Sequence, residues 1–207
     1  MIKKLTANAR RPQGLWGNLM IKKMNRGHAA MTKWGLENLP LHTGAVVADI
    51  GCGGGNAVFL LSKIVRQGKI YGVDYAQLCI EQAIRKNRRE IKRDRVKILR
   101  ASVSSLPFQS DTLDLVTAIE TIYFWPDLPK DFQEIYRVLK KGGRFAILCE
   151  MVKNEDGSGR HTDIADFLKL HYLTKNEIAL LLKNAGFSDI RLTTHTENGW
   201  LLAIGSK

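Results

Sequence analysis

The stretch VVADIGCGGGNAVFLLSK, residues 46–63, sets an apolar, β-branched run against four glycines within five residues, and then against helical spacing. A strand that stops at a glycine turn and restarts as a helix is a nucleotide-binding arrangement. The dinucleotide fingerprint needs a third glycine five residues after Gly51, where this chain has Asn56. What stands instead is an acid at the strand end, Asp49, followed by glycines at alternate positions, Gly51, Gly53 and Gly55. A carboxylate repels a pyrophosphate in a partly dry cleft and attracts an ammonium or a sulfonium. The spacing favours S-adenosylmethionine over NAD.

Outward from this stretch, apolar runs alternate with helical patterns. Strands are expected over residues 45–50, 69–74, 95–101, 112–120 and 144–150, and the later runs 187–196 and 199–207 complete seven. Helical spacing falls over residues 56–67 and 77–91, and again over 129–141 (PKDFQEIYRVLKK), which opens on proline and ends before Gly142-Gly143. A further helix, KNEIALLLKNAG, stops at Gly186. The last two strands are joined only by a short turn, so they form an antiparallel pair. The expected fold is α/β: a Rossmann-like, doubly wound, mostly parallel seven-stranded sheet with its last strand antiparallel. The ligand then sits beyond the carboxyl ends of the strands, where the strand order reverses. Residues 1–40 precede the first strand and look helical, forming an appendage or lid on a domain of residues 41–207.

With 207 residues, 44% hydrophobic and 25% charged, the chain suits one sizeable core. No apolar stretch is long enough to span a membrane, no membrane partner is expected, and MIKKLTANARRPQG lacks the apolar core of a signal peptide. Three cysteines, an odd number without metal-ligand spacing, argue for a reducing, cytoplasmic setting and no metal. The net charge of +12 concentrates in RKNRREIKRDRVK and in the first thirty residues. It reads either as a solvated basic surface or as an acidic partner such as nucleic acid, for which no recognisable module is present.

VVADIGCGGGNAVFLL closely resembles the first motif of the class I S-adenosylmethionine-dependent methyltransferases. IYGVDYA resembles that family's second strand, SSLPFQSDTLDLVTAIETIYFW its fourth-strand segment, YRVLKKGGRFAILCE its fifth strand with the preceding glycine turn, and LLKNAGFSDIRL the approach to its sixth. The resemblance covers residues 41–204 in order, and it implies S-adenosylmethionine as cofactor and methyl transfer as activity. It places Asp74 on the ribose hydroxyls, Tyr75 beside ribose and adenine, and Ala118 to Glu120 beneath the methionine moiety. Where many relatives carry an acid for the adenine amine, this chain has Ser102 followed by Val103, so adenine is met by serine or by backbone. Cys52 lies inside the glycine loop.

Asp49 reads as an orienting charge near the methionine end or as a cap of the next helix. Methyl transfer is an in-line displacement that needs alignment and exclusion of water. An acceptor that needs a base finds candidates in His28, Glu120, Tyr123, His161 and His171, with no decision among them. Two segments suit acceptor binding: residues 14–36, carrying Trp16, Met20, Met24, Asn25, His28 and Trp34, and residues 154–173. Asn25, His28 and Tyr123 are the acceptor-binding candidates, while Met20, Met24 and Met31 read equally as core. A small-molecule acceptor is favoured. An RNA or protein acceptor is the alternative, although ETIY stands where amine-directed nucleic-acid enzymes carry a PPY-type tetrapeptide. A non-methylating relative that binds the cofactor is the third reading.

Overall fold

The structure is a computed structural model that describes residues 13–207. The chain divides into two compact units, which meet in sequence between Ser102 and Val103. The seven-stranded sheet runs in the order 96–100, 69–74, 46–50 in the first unit and 113–119, 139–149, 201–206, 188–194 in the second.

The first unit opens with α1 (Gly14–Gly27) and α2 (Ala29–Glu37). Alternating strands and helices follow: β1 (Val46–Ile50), α3 (Asn56–Ile64), β2 (Lys69–Asp74), α4 (Gln77–Lys92) and β3 (Val96–Arg100). Of the helical pattern expected over residues 1–40, α1 and α2 are present, broken at His28, whose backbone is neither helical nor extended, and residues 1–12 lie outside the described residues. Met31 is fully buried, whereas Met20 and Met24 are half-buried. The three strands are parallel, with Ile50 opposite Val73 and Asp74 opposite Arg100. Parallel neighbours require crossovers, and α3 and α4 supply them. The buried face of α4 carries Cys79, Ile80 and Ala83, then the polar Asn87 and Glu90. Glu90 pairs with Arg95, which also donates to the carbonyls of Val65 and Arg66 at 3.0 and 2.8 Å, tying the start of β3 to the end of α3.

The second unit contains β4 (Leu113–Ile119), a 3-10 turn (Ile122–Phe124), α5 (Leu128–Val138) and β5 (Leu139–Cys149). It ends with α6 (Thr162–Leu168), α7 (Lys175–Asn184), β6 (Ser188–Thr194) and β7 (Leu201–Ser206). β4 and β5 are parallel, and β7 runs antiparallel to both β5 and β6. The last strand is therefore reversed, as expected. The helix expected over residues 129–141 instead ends at Val138, because Leu139 is fully buried opposite Leu113 and draws Lys140 and Lys141 into the strand. Burial of Leu139 outweighs the helix propensity of two lysines. α7 begins with a reciprocal capping box between Thr174 and Glu177, and the chain turns at Gly186, whose φ of 102° suits glycine. Trp125, Phe132 and Phe145 form the aromatic centre of this unit, with Trp125 stacked on Phe145 at 6.1 Å.

Candidate functional site

In the first unit the site is built on the loop after β1. The N–H groups of Gly51 and Cys52 both donate to the Val73 carbonyl, at 2.8 and 3.0 Å, so the loop begins by clasping the end of β2. Asp74, last residue of β2, accepts from the Gly53 N–H through Oδ2 and from the Ala76 N–H through Oδ1, each at 2.9 Å. One carboxylate thus joins the glycine loop to the segment that enters α4. Burial pushes the Asp74 carboxyl above its ordinary value, against the opposite pull of the N–H groups of Ala76, Gly53 and Tyr75. Cys52 is buried, and its thiol is pushed well up, first by burial and then by the charges of Asp74 and Asp49. It stays protonated at neutral pH.

Two glycines of the loop are dictated by their surroundings. A Cβ on Gly55, at φ 76°, would come within 2.6 Å of Asn87 Nδ2 and 2.9 Å of the Ala83 backbone. Asn87 donates to the carbonyls of Gly55 and Ala83, both at 3.0 Å, so α4 holds the loop where only glycine fits. A Cβ on Gly54 would approach Ile21 Cγ2 to 2.7 Å and Asn25 Nδ2 more closely still. The inner face of α1 therefore rests on the loop, secured by the Gln82 amide donating to Asn18 Oδ1 at 2.6 Å. Gly53 is open: a Cβ there would meet nothing within 4 Å.

Of the residues singled out in the sequence, Asp49, Gly51, Cys52, Gly53, Gly55 and Asp74 cluster around this loop, with Asp49 only 2% exposed. Tyr75, next to them in the chain, is exposed. Asn25 lies against Gly54, and His28 follows at the α1–α2 break. Ser102 closes the first unit on an exposed position. An open-sided glycine loop backed by two buried carboxylates fits a ligand with a cationic group and vicinal hydroxyls.

In the second unit the ends of β4 and β5 form a polar knot. Glu120 takes a left-handed backbone, φ 55°, and is nearly buried. Its Oε1 accepts from the Tyr123 hydroxyl at 2.8 Å and from the Glu150 N–H at 2.6 Å. The Tyr123 oxygen in turn accepts from the Met151 N–H at 3.1 Å. Burial, then the charge of Glu120, pushes the Tyr123 phenol well up, so it remains a donor. His171 donates its backbone N–H to the Tyr123 carbonyl at 3.1 Å, and its Nε2 lies 3.0 Å from the Trp125 carbonyl. His161 precedes α6 and serves it through its carbonyl, which accepts from the Ala165 N–H at 2.9 Å. Ala118 is buried within β4.

Val103 opens a loop that α5 fixes from three successive turns. Asp131, fully buried, accepts from the Ser104 hydroxyl at 2.6 Å. Glu134 accepts from the Leu106 N–H at 2.8 Å, and Arg137 donates to the Phe108 carbonyl at 2.9 Å. Asn87, Asp131, Glu134 and the Ala76 N–H were not singled out in the sequence. Asn87 and Asp131 carried a signal, as polar residues on otherwise apolar helix faces; the Ala76 backbone carried none.

Residues 48–147 match the family model described as a methyltransferase domain. The chain is 36% identical over 108 residues to a demethylmenaquinone methyltransferase of Lactococcus lactis, covering 52% of this chain and 42% of that protein. Over 166 residues it is 25% identical to an uncharacterized methyltransferase, YdaC, of Bacillus subtilis, covering 77% and 81% of the two chains. It spans about half the length of the demethylmenaquinone methyltransferases it matches. Among solved structures, a SAM-dependent methyltransferase from Aquifex aeolicus superposes with a TM-score of 0.71 at 24% identity, covering 89% of this chain and 95% of that one.

Proposed function

We infer that this chain, which belongs through residues 48–147 to the class I S-adenosylmethionine-dependent methyltransferases, transfers a methyl group to a small-molecule acceptor. The observation that carries the reading is Asp74, whose carboxylate joins the Gly53 and Ala76 N–H groups at the end of β2. When bound, S-adenosylmethionine supplies a methyl group on a sulfonium, ready for in-line displacement.

The chain's own residues bind, orient and dry the site. The spare lone pairs of Asp74 take the ribose hydroxyls while its backbone partners hold it in place. Gly51, Cys52 and Gly53 present backbone to the ligand, Gly55 lets the loop close onto α4, and Asp49 favours the cationic end. Tyr75 and Ser102 border the adenosyl part, as does Val103, which opens the loop that Ser104, Leu106 and Phe108 anchor to α5. Ala118 and Glu120 border the methionine part. Tyr123 acts as a fixed wall of the acceptor side, since its hydroxyl is committed to Glu120 and Met151. Asn25 and His28 bring residues 1–40 into play as a lid over a methyltransferase domain of residues 41–207. A base, if the acceptor demands one, comes from His28, Glu120 or His171.

A small-molecule acceptor is supported by relatives named as demethylmenaquinone, 2-phytyl-1,4-naphtoquinone and sterol 4-C-methyltransferases. An RNA or protein acceptor is the second reading, favoured by the exposed cations of α4, among them Arg85, Arg88, Arg89 and Lys92. A cytoplasmic location suits three buried, unpaired cysteines. Calorimetry with S-adenosylhomocysteine and with NAD tests the cofactor, and tighter binding of NAD refutes it. Transfer of labelled methyl from S-adenosylmethionine to lipid, metabolite, RNA and protein fractions tests the acceptor. Label confined to RNA or protein refutes the small-molecule reading.

A further inference from the structure

We propose that the outer face of α1 docks on an anionic lipid surface, seating Trp16 and Leu19 among the headgroups and Lys22, Lys23 and Arg26 against the negative charge. Trp16 is 50% exposed and Leu19 53%, in the same helix whose Ile21 is 3% exposed. The inner face of α1 is occupied: Ile21 packs with Ala76 and Cys79, Asn18 accepts from Gln82, and Asn25 lies against Gly54. At the helical repeat of 3.6 residues, Trp16, Leu19, Lys22, Lys23 and Arg26 fall within one outward arc of about 120°. A large aromatic and a leucine beside three cations on one exposed face is the composition of a helix that lies in a membrane interface.

The charge around this face is complementary to anionic lipid. Among the described residues, 13–36 hold four cations, Lys22, Lys23, Arg26 and Lys33, and no acidic residue, the first being Glu37. Residues 13–102 hold 16 Lys and Arg but only six Asp and Glu. No helix among the described residues is long and apolar enough to cross a membrane, so attachment is peripheral. The expectation of no membrane partner rested on the lack of a spanning segment and does not bear on peripheral docking. RNA would also answer to the cations, but it gains little from Leu19, which has no ring to stack on a base. Because the inner face of α1 rests on the glycine loop, a docked helix holds that loop close to the bilayer. The docking stands whether or not the methyl-transfer reading holds.

Sedimentation of the full chain with two kinds of vesicle tests this: phosphatidylcholine alone, and phosphatidylcholine mixed with phosphatidylglycerol. Binding to the mixed vesicles, absent with phosphatidylcholine alone and weakened by salt, is the expected result for the native protein. Equal binding to both vesicles, or to neither, overturns the proposal without recourse to any variant. Neutralising Lys22, Lys23 and Arg26 to glutamine weakens partitioning about 100-fold, since each basic residue near an anionic surface contributes about fivefold. Trp16→Ser with Leu19→Ser weakens it about tenfold or more, with circular dichroism and S-adenosylhomocysteine binding unchanged. Undiminished vesicle binding by a folded Trp16→Ser, Leu19→Ser protein overturns the role of the apolar pair. Binding of transfer RNA that displaces the vesicles, and that survives the same pair of substitutions, assigns the surface to nucleic acid instead.

Discussion

Asp74→Ala removes one carboxylate and with it two backbone contacts, which makes it the sharpest test of how the glycine loop is held. Each oxygen accepts one N–H at 2.9 Å, and the residue is only 8% exposed, so water does not replace it freely. A hydrogen bond to a charged group contributes about 1.5–3 kcal/mol, so the two amount to roughly 3–6 kcal/mol gross. The cost of burying the charge offsets part of this, as the raised carboxyl pKa indicates. A net loss of roughly 2–4 kcal/mol of folding stability results. Asp74→Asn keeps one acceptor and turns an amide donor toward the other N–H, so it falls between wild type and alanine. Urea unfolding at neutral pH reads the stability, and calorimetry with S-adenosylhomocysteine reads an affinity loss of about 10- to 100-fold. An alanine variant with the wild-type urea midpoint and wild-type affinity would refute both the tether and the ribose contact.

The same group gives a signed pH dependence. Its folded-state pKa lies above the ordinary value of 3.8. The stability linked to this shift is fully present below that value and is lost as pH rises through the folded pKa. Asp74→Asn lacks the titration, so the stability difference moves in favour of the variant between acid and neutral pH. A difference that stays constant across that range contradicts burial as the dominant cause.

Gly55→Ala forces a side chain into a left-handed backbone and against Ala83, costing roughly 2–5 kcal/mol; thermal unfolding of the variant at or above the wild-type midpoint refutes the packing described. Glu134, held below the ordinary carboxylate value first by its hydrogen bond from Arg137, adds stability above the unfolded value of 4.5 that is lost as pH falls through its lower folded pKa. Glu134→Gln therefore flattens the acid limb of the stability curve, which urea titrations between acid and neutral pH can check. Deleting residues 1–36 removes buried Ile21, Met31 and Leu36 and exposes apolar surface, so the truncated chain aggregates. A monodisperse, folded truncation on gel filtration and circular dichroism would show instead that the first helices are dispensable to the core.

The order of strands and helices was legible because β1, β2 and β4 are short, mostly apolar runs that end at glycine or acid. Val46–Ile50 and Lys69–Asp74 read directly, since burial on both faces leaves a continuous apolar signature. The end of α5 did not read, because Lys140 and Lys141 are good helix formers whose conformation is decided by pairing of the adjacent Leu139 with Leu113. The break at His28 was equally silent, as no proline stands there and the neighbouring Gly27 is only a weak signal.

The side chains of the candidate site were more legible than their supports, for a physical reason. Asp49, Gly51, Gly53 and Gly55 are residue types that a cationic ligand and a tight loop demand at fixed offsets, so spacing brings them out, and the family resemblance of IYGVDYA adds Asp74. The groups that hold them are chosen by the fold. Gly53 and Ala76 reach Asp74 through backbone N–H groups that every non-proline residue carries, and Glu120 is capped by the backbone of Glu150, thirty residues on. Such contacts leave composition unchanged, so no pattern in one sequence marks them. Asn87 is the intermediate case: an amide on the buried face of α4 costs free energy unless it is bonded. Its position there already implied a buried partner, and the partner proved to be the Gly55 carbonyl. A buried polar residue on an apolar helix face thus points to the loop it secures, even where that loop's own glycines say nothing of what lies behind them.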